Sequence, residues 1–487
     1  MDRVRVRFAP SPTGLPHVGN IRTALFNYLF ARHHQGTFVF RIEDTDRSRF
    51  VEGAIEKLTS ALEWVGIEID EGYSAGGKFG PYLQSRRLDL YEDIASQMIA
   101  KGKAYVCNCS VQRLEQLRAE QKKAKLNPKY DGHCRHKNIP FKGLEQLSQQ
   151  NAVIRFAAPQ EGQITYNDKL RGEITFDNRQ LDDIVLVKAD GFPTYNFANV
   201  VDDHFMNITH VMRGDEFISS TPKHVHLYNA LDWTAPEFIH LPIILNQQKK
   251  RLSKRDGSVY IGQYREMGIL PSALRNFLAL LGWSPKQNEE IMDMKQLIER
   301  FSISGITIHP AIFDLDKLIW INSQYIASLP GEELFNLAEP FMRSAGIDTS
   351  DIDLPYAEQA FDLLKSRLPT LQDAPERVGY FFHPPEQYEQ EGWEKRILKV
   401  DHVQTYLSSF IENLKSLDCW NRDTVESCLR ETAESLKVKP SILIHAARIS
   451  VTGMTTGPGL FDILNLLGKE QVVSRMEKAI KKIAEQV

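Results

Sequence analysis

The first 43 residues constrain the fold most tightly. Val4 to Phe8 alternate apolar and polar side chains as a strand does, and a turn rich in proline and glycine follows, Ala9-Pro10-Ser11-Pro12-Thr13-Gly14-Leu15-Pro16. Apolar residues then recur at helical spacing around Leu25 and Leu29, and Thr37-Phe38-Val39-Phe40-Arg41-Ile42-Glu43 reads as a second strand. Strand, turn, helix and strand in so short a stretch make one βαβ unit of a nucleotide-binding α/β sheet. His17-Val18-Gly19-Asn20 stands where the helix begins, and backbone N–H groups together with the helix dipole favour phosphate there. Gly19 leaves room for an adenine against the backbone, and His17 can donate to phosphate oxygens as charge builds on them. The turn is neither the Gly-rich dinucleotide fingerprint nor a G-x-x-x-x-G-K-[ST] loop.

A second segment complements it. Lys249-Lys250-Arg251-Leu252-Ser253-Lys254-Arg255-Asp256-Gly257 is a basic loop, and a lysine on such a loop can close over a triphosphate and stabilise the departing pyrophosphate. Taken alone, the run also reads as a solvated basic loop. In this order the two segments resemble the HIGH and KMSKS signatures of class I aminoacyl-tRNA synthetases. Two departures are visible: HVGN replaces HIGH, keeping His17 and Gly19, and the loop opens on Arg251 rather than lysine.

The resemblance narrows further. Arg7-Phe8-Ala9-Pro10-Ser11-Pro12-Thr13-Gly14, Arg22 to Tyr28, Arg41-Ile42-Glu43-Asp44-Thr45-Asp46, Asp190 to Tyr195, Asn199 to His204, Arg213-Gly214-Asp215-Glu216 and Gly459-Leu460-Phe461-Asp462 resemble bacterial glutamyl-tRNA synthetases over essentially the whole chain. That resemblance implies a Rossmann-like α/β catalytic domain of the HUP type with an α+β insertion, and an all-α anticodon-binding domain behind it. It implies a ligase that activates L-glutamate with ATP and Mg²⁺ and transfers it to the 3′ end of tRNA(Glu), with activation dependent on bound tRNA. His17 and Lys254 are the expected catalytic contacts to the phosphates. Pro10, Ser11, Pro12, Thr13, Gly14, His17, Gly19, Asn20, Leu252, Ser253, Lys254 and Arg255 are expected around ATP. Arg7, Ala9, Ser11, Tyr195, Asn199 and Arg213 fall at the glutamate pocket, with Glu43 holding the α-amino group. An arginine fork suits a γ-carboxylate, and a neutral amide would leave Arg7 short of a partner. A strand arginine paired with a surface acid is the alternative for Arg7.

Three of the five cysteines form a pattern, Cys107-Asn108-Cys109, 24 residues, then Cys134-Arg135-His136. Three thiolates and an imidazole make a plausible closed, structural zinc set of Cys107, Cys109, Cys134 and His136, and zinc-bearing members of the family share the arrangement. The alternative is thiols left from an ancestral site. Cys419 and Cys428 receive no role. Lys122, Lys123, Lys125, Lys129, Arg135 and Lys137 crowd a stretch holding one acidic residue, Asp131, a solvated face or a contact to RNA. The net charge of −4 excludes a chain that coats nucleic acid everywhere but permits one basic face. No apolar run reaches the roughly 18 residues of a membrane span, and no signal core follows the N-terminus, so a cytoplasmic protein without membrane partners is expected, working as a monomer.

The expected domains are 1–80, first half of the nucleotide-binding sheet; 81–190, the acceptor-stem-binding insertion with the candidate zinc site; 191–245, second half of the sheet; 246–323, a stem-contact region with the Lys254 loop; and 324–487, the helical anticodon-binding domain. Helical spacing marks Arg86–Lys101, Gln112–Lys125, Ser272–Leu281, Leu334–Ala345, Tyr356–Leu368, Val400–Lys415, Thr424–Leu436 and Lys469–Ala484, with Pro340 expected to kink or split its helix. Val153–Phe156 and Ile184–Val187 read as strands within the insertion. Arg367 resembles a family position that reads cytosine at the third anticodon base, and Arg448 matches a second anticodon contact. A pairing of Arg367 with Asp362 is the alternative. The competing functions are a form that also charges tRNA(Gln), a shorter tRNA-modifying paralogue (disfavoured by the 487 residues), and a non-catalytic tRNA-binding scaffold.

Overall fold

The computed structural model describes residues 3–252, 260–287 and 289–486. The chain divides into two compact units, Met1–Gln263 with Leu274–Asp314, and Tyr264–Ala273 with Leu315–Val487.

In the first unit, β1 (Arg5–Phe8) leads through the proline-rich turn into α1 (Val18–His33) and back to β2 (Thr37–Phe40), as the opening sequence predicts. The strands pair in parallel, with Arg5 opposite Thr37 and Phe8 opposite Phe40, and β3 (Glu71–Gly72) continues the sheet beyond β2. Regular pairing stops at Phe40, but Arg41 N still donates to Phe8 O (3.0 Å) and Glu43 N to Pro10 O (3.1 Å). Glu43 is thereby carried past the carboxyl end of the sheet. In β1 the side chains of Val6, Arg7 and Phe8 are all buried, as in a strand covered on both faces. Helix α1 is buried on most of its circumference: Phe26 meets Phe301 edge to face at 5.4 Å, and the Asn27 amide donates to Met212 O.

The stretch after Gly80 carries α2 (Leu88–Ala100), the antiparallel sheet β4 (Ala104–Cys107), β5 (Val153–Phe156) and β8 (Val185–Val187), and between β4 and β5 the exposed helix α3 (Val111–Lys123). A hairpin that periodicity did not reveal, β6 (Gln163–Asp168) and β7 (Gly172–Asp177), leaves this sheet and pairs with a later strand. Beyond α4 (Tyr195–Phe205), strands β9 (His210–Gly214) and β10 (Glu237–Leu241) pair in parallel around α5 (Thr221–Ala230). The second sheet runs β7-β6-β10-β9. Thr209, ahead of β9, donates its N–H to Arg5 O (2.9 Å) and accepts from Arg5 N on its hydroxyl (2.8 Å). β1 thus has β2 on one side and β9 on the other. Strand order reverses between β1 and β9, and a crevice opens outside their carboxyl ends, where α/β sheets bind ligands.

Among its described residues, the regular elements of the second unit are all helical. Leu315–Ser328, Gly331–Ser344, Leu354–Leu364, Val403–Lys415, Arg422–Ser435, Pro440–Thr452 and Leu460–Gln486 are its longer elements. Pro340 does not split its helix, which runs on to Ser344. Pro340 and Asn336 one turn earlier are both exposed, so water can take the carbonyl that proline leaves without a donor. The last helix breaks at Gly468 (φ 78°, ψ 162°), which explains why helical spacing marks only its second part, from Lys469. Among the described residues, no helix is long and apolar enough to cross a membrane.

Candidate active site

A cleft of about 720 Å³ lies at the strand-order reversal. From the expected set it is lined by Arg7, Ala9, Pro10, Ser11, His17, Gly19, Asn20, Glu43, Tyr195, Asn199, Arg213 and Leu252. Pro12, Thr13 and Gly14 do not line it; they shape the turn, where Pro12 O accepts from Val51 N (3.0 Å). Ser253, Lys254 and Arg255 lie outside the described residues.

His17 is the N-cap of α1, and its Nδ1 accepts from Gly19 N at 3.1 Å. That bond fixes the tautomer, leaving Nε2–H for the cleft. A Cβ on Gly19 would stand 3.0 Å from the imidazole Cε1, so glycine also preserves the pose of His17. Enclosure by the cleft walls lowers the His17 pKa, against the pull of Glu216. The first turn of α1 has no acidic residue to offset the helix dipole. Of the described flanks of the basic loop, Ile261 N donates to Pro16 O (3.1 Å) just ahead of His17, and Leu252 N donates to Ile244 O (3.3 Å) on the cleft wall. Tyr260 bridges to His17 itself.

Four charged side chains form the floor. Arg7 Nε donates to Asp203 Oδ1 (3.0 Å) and Nη2 to Oδ2 (3.2 Å). Arg41, wholly buried, donates from Nη1 to Asp203 Oδ1 (2.8 Å) and from Nη2 to Glu43 Oε1 (3.1 Å). Asn199 Nδ2 reaches the same Glu43 oxygen at 2.9 Å, and Oε2 takes no bond from the described residues. Burial raises the Glu43 carboxyl above its usual range, and Arg41 works against it. Arg7 is thus neither an unpaired cation nor a surface arginine, because its partner is a buried acid. Asp202, next to Asp203, lies 3.8 Å from Arg41 Nε and accepts from Arg87 Nε (2.7 Å), Gln84 Nε2 (2.8 Å) and Tyr91 OH (2.8 Å).

Arg213 differs. Its Nη1 donates to Tyr195 OH (3.0 Å) and to His224 Nδ1 (3.3 Å), its Nη2 to Thr221 Oγ1 (2.9 Å), and its Nε to His240 Nε2 (3.3 Å). Every one of these acceptors is uncharged, and Arg213 has no ion pair among the described residues. Burial, with the nearby Arg213 and Arg7 charges, pushes His224 well below its usual pKa; burial also lowers His240. Sequence reasoning quoted Arg41, Asp202 and Asp203 within motifs but gave them no role, and it missed Thr221, His224 and His240. The signal for the aspartates was charge inside the apolar run of α4.

Away from the cleft, the Cys107, Cys109 and Cys134 sulfurs lie within 4.8 Å of one another. His136 is not in this group and is exposed. Tyr130 Oη also converges there, 3.4 Å from Cys107 Sγ and 3.6 Å from Cys109 Sγ, on a tyrosine buried beneath Arg155, while Asn108 Oδ1 lies 3.6 Å from Cys134 Sγ. Of the basic run, Lys122, Lys123, Lys125 and Lys137 are exposed, while Lys129 and Arg135 donate to backbone carbonyls. In the helical unit, Arg367 is exposed, and Asp362 pairs with Lys365 (2.8 Å) instead. Arg448 is half-buried; burial first and then the Arg367 charge lower its pKa, which places the two guanidinium groups within each other's field.

Residues 3–320 match tRNA synthetases class I (E and Q), catalytic domain, and residues 333–480 match the anticodon binding domain. The chain belongs to the class I tRNA synthetases of the E and Q branch. It is 40% identical over 488 residues to the glutamate–tRNA ligase of Moorella thermoacetica, covering 100% of this chain and 99% of that one. It is 41% identical over 486 residues to that of Clostridioides difficile, covering 97% and 98%. A crystal structure of a glutamate tRNA ligase from Elizabethkingia meningosepticum in complex with its amino acid superposes with a TM-score of 0.90 at 36% identity, covering 99% of this chain and all of the other.

Proposed function

We infer that this protein is a glutamate–tRNA ligase. The observation that carries the reading is the cleft itself, where cations (Arg7, Arg213) and an anion (Glu43) stand together as a free acidic amino acid requires. In the proposed pose, Arg7, Arg213 and Tyr195 take the γ-carboxylate, and Glu43 Oε2 takes the α-ammonium beside Asn199. Glutamine would set a neutral amide against a guanidinium that has only neutral partners, which costs binding. The α-carboxylate then attacks the α-phosphorus of ATP in line, and pyrophosphate leaves. His17 Nε2–H and Lys254 stabilise the charge that develops on the phosphates. A ribose hydroxyl at the tRNA 3′ end next attacks the anhydride carbonyl, releasing AMP. No side chain serves as a nucleophile. Positioning and charge do the work. The Mg²⁺ that accompanies ATP would screen its triphosphate.

The residues after Gly80, with their exposed lysines, are the proposed seat of the acceptor stem, and Arg367 with Arg448 reads the anticodon. Zinc suits the sulfur cluster: tetrahedral ligands at Zn–S ≈ 2.3 Å stand about 3.8 Å apart, and Cys109 Sγ lies 3.5 Å from Cys134 Sγ. The proposed set is Cys107, Cys109, Cys134 and Tyr130, with no open position and a structural role. Charging of purified tRNA(Glu) and tRNA(Gln) with labelled glutamate tests the reading. Incorporation into tRNA(Glu) alone supports it, and incorporation into neither refutes it.

A further inference from the structure

Behind Arg213 lies a group that the chemistry above leaves unused. Asp168 closes β6, and its side chain is fully buried, as is that of His240 on β10. Asp168 Oδ2 stands 2.6 Å from His240 Nδ1 and 3.1 Å from the His240 backbone nitrogen. Its Oδ1 accepts from Leu170 N (2.9 Å) and Arg171 N (3.0 Å) in the hairpin turn. A carboxylate so held accepts hydrogen bonds and cannot donate one. Nδ1 of His240 therefore carries the proton, and the Nε2 lone pair faces Arg213 Nε; the Thr221 hydroxyl, also 3.0 Å from Nε2, donates to Phe217 O (3.0 Å). On the far side of Arg213, His224 Nε2 lies 3.0 Å from Asn196 Oδ1. With the asparagine oxygen accepting, His224 presents its Nδ1 lone pair to Arg213 Nη1.

We propose that Asp168 and His240 are positioning residues for amino-acid selection, orienting a neutral imidazole whose lone pair holds Arg213 at the pocket without neutralising its charge. A carboxylate in the place of His240 would also orient the guanidinium, but it would compensate the charge that the substrate's side chain must meet. An imidazole with the opposite tautomer would set N–H against N–H and turn Arg213 away. The aspartate makes the difference, as an orienting carboxylate does wherever one histidine tautomer is required.

The proposal rests on Arg213 serving the glutamate pocket, so the test carries Arg213→Ala as its control. Steady-state kcat and KM for glutamate, ATP and tRNA are measured on wild type, Arg213→Ala, His240→Phe and His240→Gln. His240→Phe keeps the ring and removes the acceptor, and the expected rise in glutamate KM is about 10- to 100-fold, the loss of one hydrogen bond to a charged group. kcat and the KM for ATP stay within about threefold of wild type, because no phosphate contact changes. His240→Gln, which keeps an acceptor toward Arg213 and a donor toward Asp168, returns glutamate KM to within about threefold of wild type. An unchanged KM in His240→Phe, equal losses in the Phe and Gln variants, or a loss shared by ATP overturns the proposal. Should His240→Phe fail to fold, Asp168→Asn decides on the same readings, since its amide drives the proton to Nε2. If Arg213→Ala itself leaves glutamate KM unchanged, the pocket assignment fails, and the positioning role with it.

Discussion

Asp203 is the keystone of the cleft floor, and Asp203→Asn measures its weight. The carboxylate accepts hydrogen bonds from two arginines on both of its oxygens, and Arg41 has no exposure to water. Removing one partner of a buried ion pair costs about 3–5 kcal/mol, and asparagine, which keeps the shape and one acceptor, belongs at about 3. The surrounding unit has about 300 residues. At roughly 2.1 cal/mol/K per residue its unfolding entropy is about 0.6 kcal/mol/K, so the midpoint should fall by about 5 °C. Acid gives a second reading. Burial alone would raise the Asp203 carboxyl, but Arg7 and Arg41 outweigh it and hold it below the usual value. A carboxyl depressed in the folded state stabilises above its unfolded pKa, about 3.9, and loses that contribution as pH falls through its folded value. Differential scanning calorimetry from about pH 7 to pH 3.5 should show the full gap between wild type and variant near neutrality and a shrinking gap below about pH 4. Equal midpoints at neutral pH, or a gap that persists unchanged into acid, would refute the assignment of Asp203 as a paired carboxylate.

His17→Ala and Lys254→Ala should each lower kcat about 10²- to 10³-fold with tRNA affinity retained in filter binding, as the loss of one transition-state donor does; near-normal turnover removes that residue from the catalytic list. Zinc measured by elemental analysis after chelator washing should survive His136→Ala and fall in Tyr130→Phe and Cys134→Ala. The reverse order restores the histidine as ligand. Arg367→Gln should admit tRNA(Gln) to charging while most activity on tRNA(Glu) remains, because an arginine donates to the O2 and N3 acceptors of cytosine and guanine offers donors at that edge; a wild type that charges both tRNAs equally ends the discriminating reading. Pyrophosphate exchange with glutamate should require tRNA, and full exchange without it contradicts that order of events.

The βαβ opening was legible because a strand covered on both faces, a proline-rich turn and a buried helix each leave local signatures, and β1, α1 and β2 follow them to within a residue or two at most ends. The cleft residues that touch open space were legible too, since they fall within the short motifs that carry the family resemblance. Their supports were not. Thr221, His224 and His240 come from three positions that only β9–β10 pairing and the packing of α5 bring together, and no periodicity in one segment announces that. The hairpin of β6 and β7 was missed because its outer strand is polar and half-exposed, so apolar alternation is weak there. Tyr130 was overlooked for a different reason. Ligand spacing directs attention to cysteine and histidine, and a tyrosine four residues before Cys134 looks like ordinary core until its hydroxyl is seen among the sulfurs.

The pairing of the hairpin with β10 sets a limit on how this enzyme can be cut down. Residues 81–190 interrupt the sheet in sequence and invite removal as a cassette, leaving a smaller adenylate-forming core. Deleting them would take away the strand that meets β10 at Asp168 and strip the edge of the second sheet to bare N–H and C=O groups, inviting aggregation. It would also remove the carboxylate behind His240. A minimal version must therefore keep Gln163–Asp177 in register with β10.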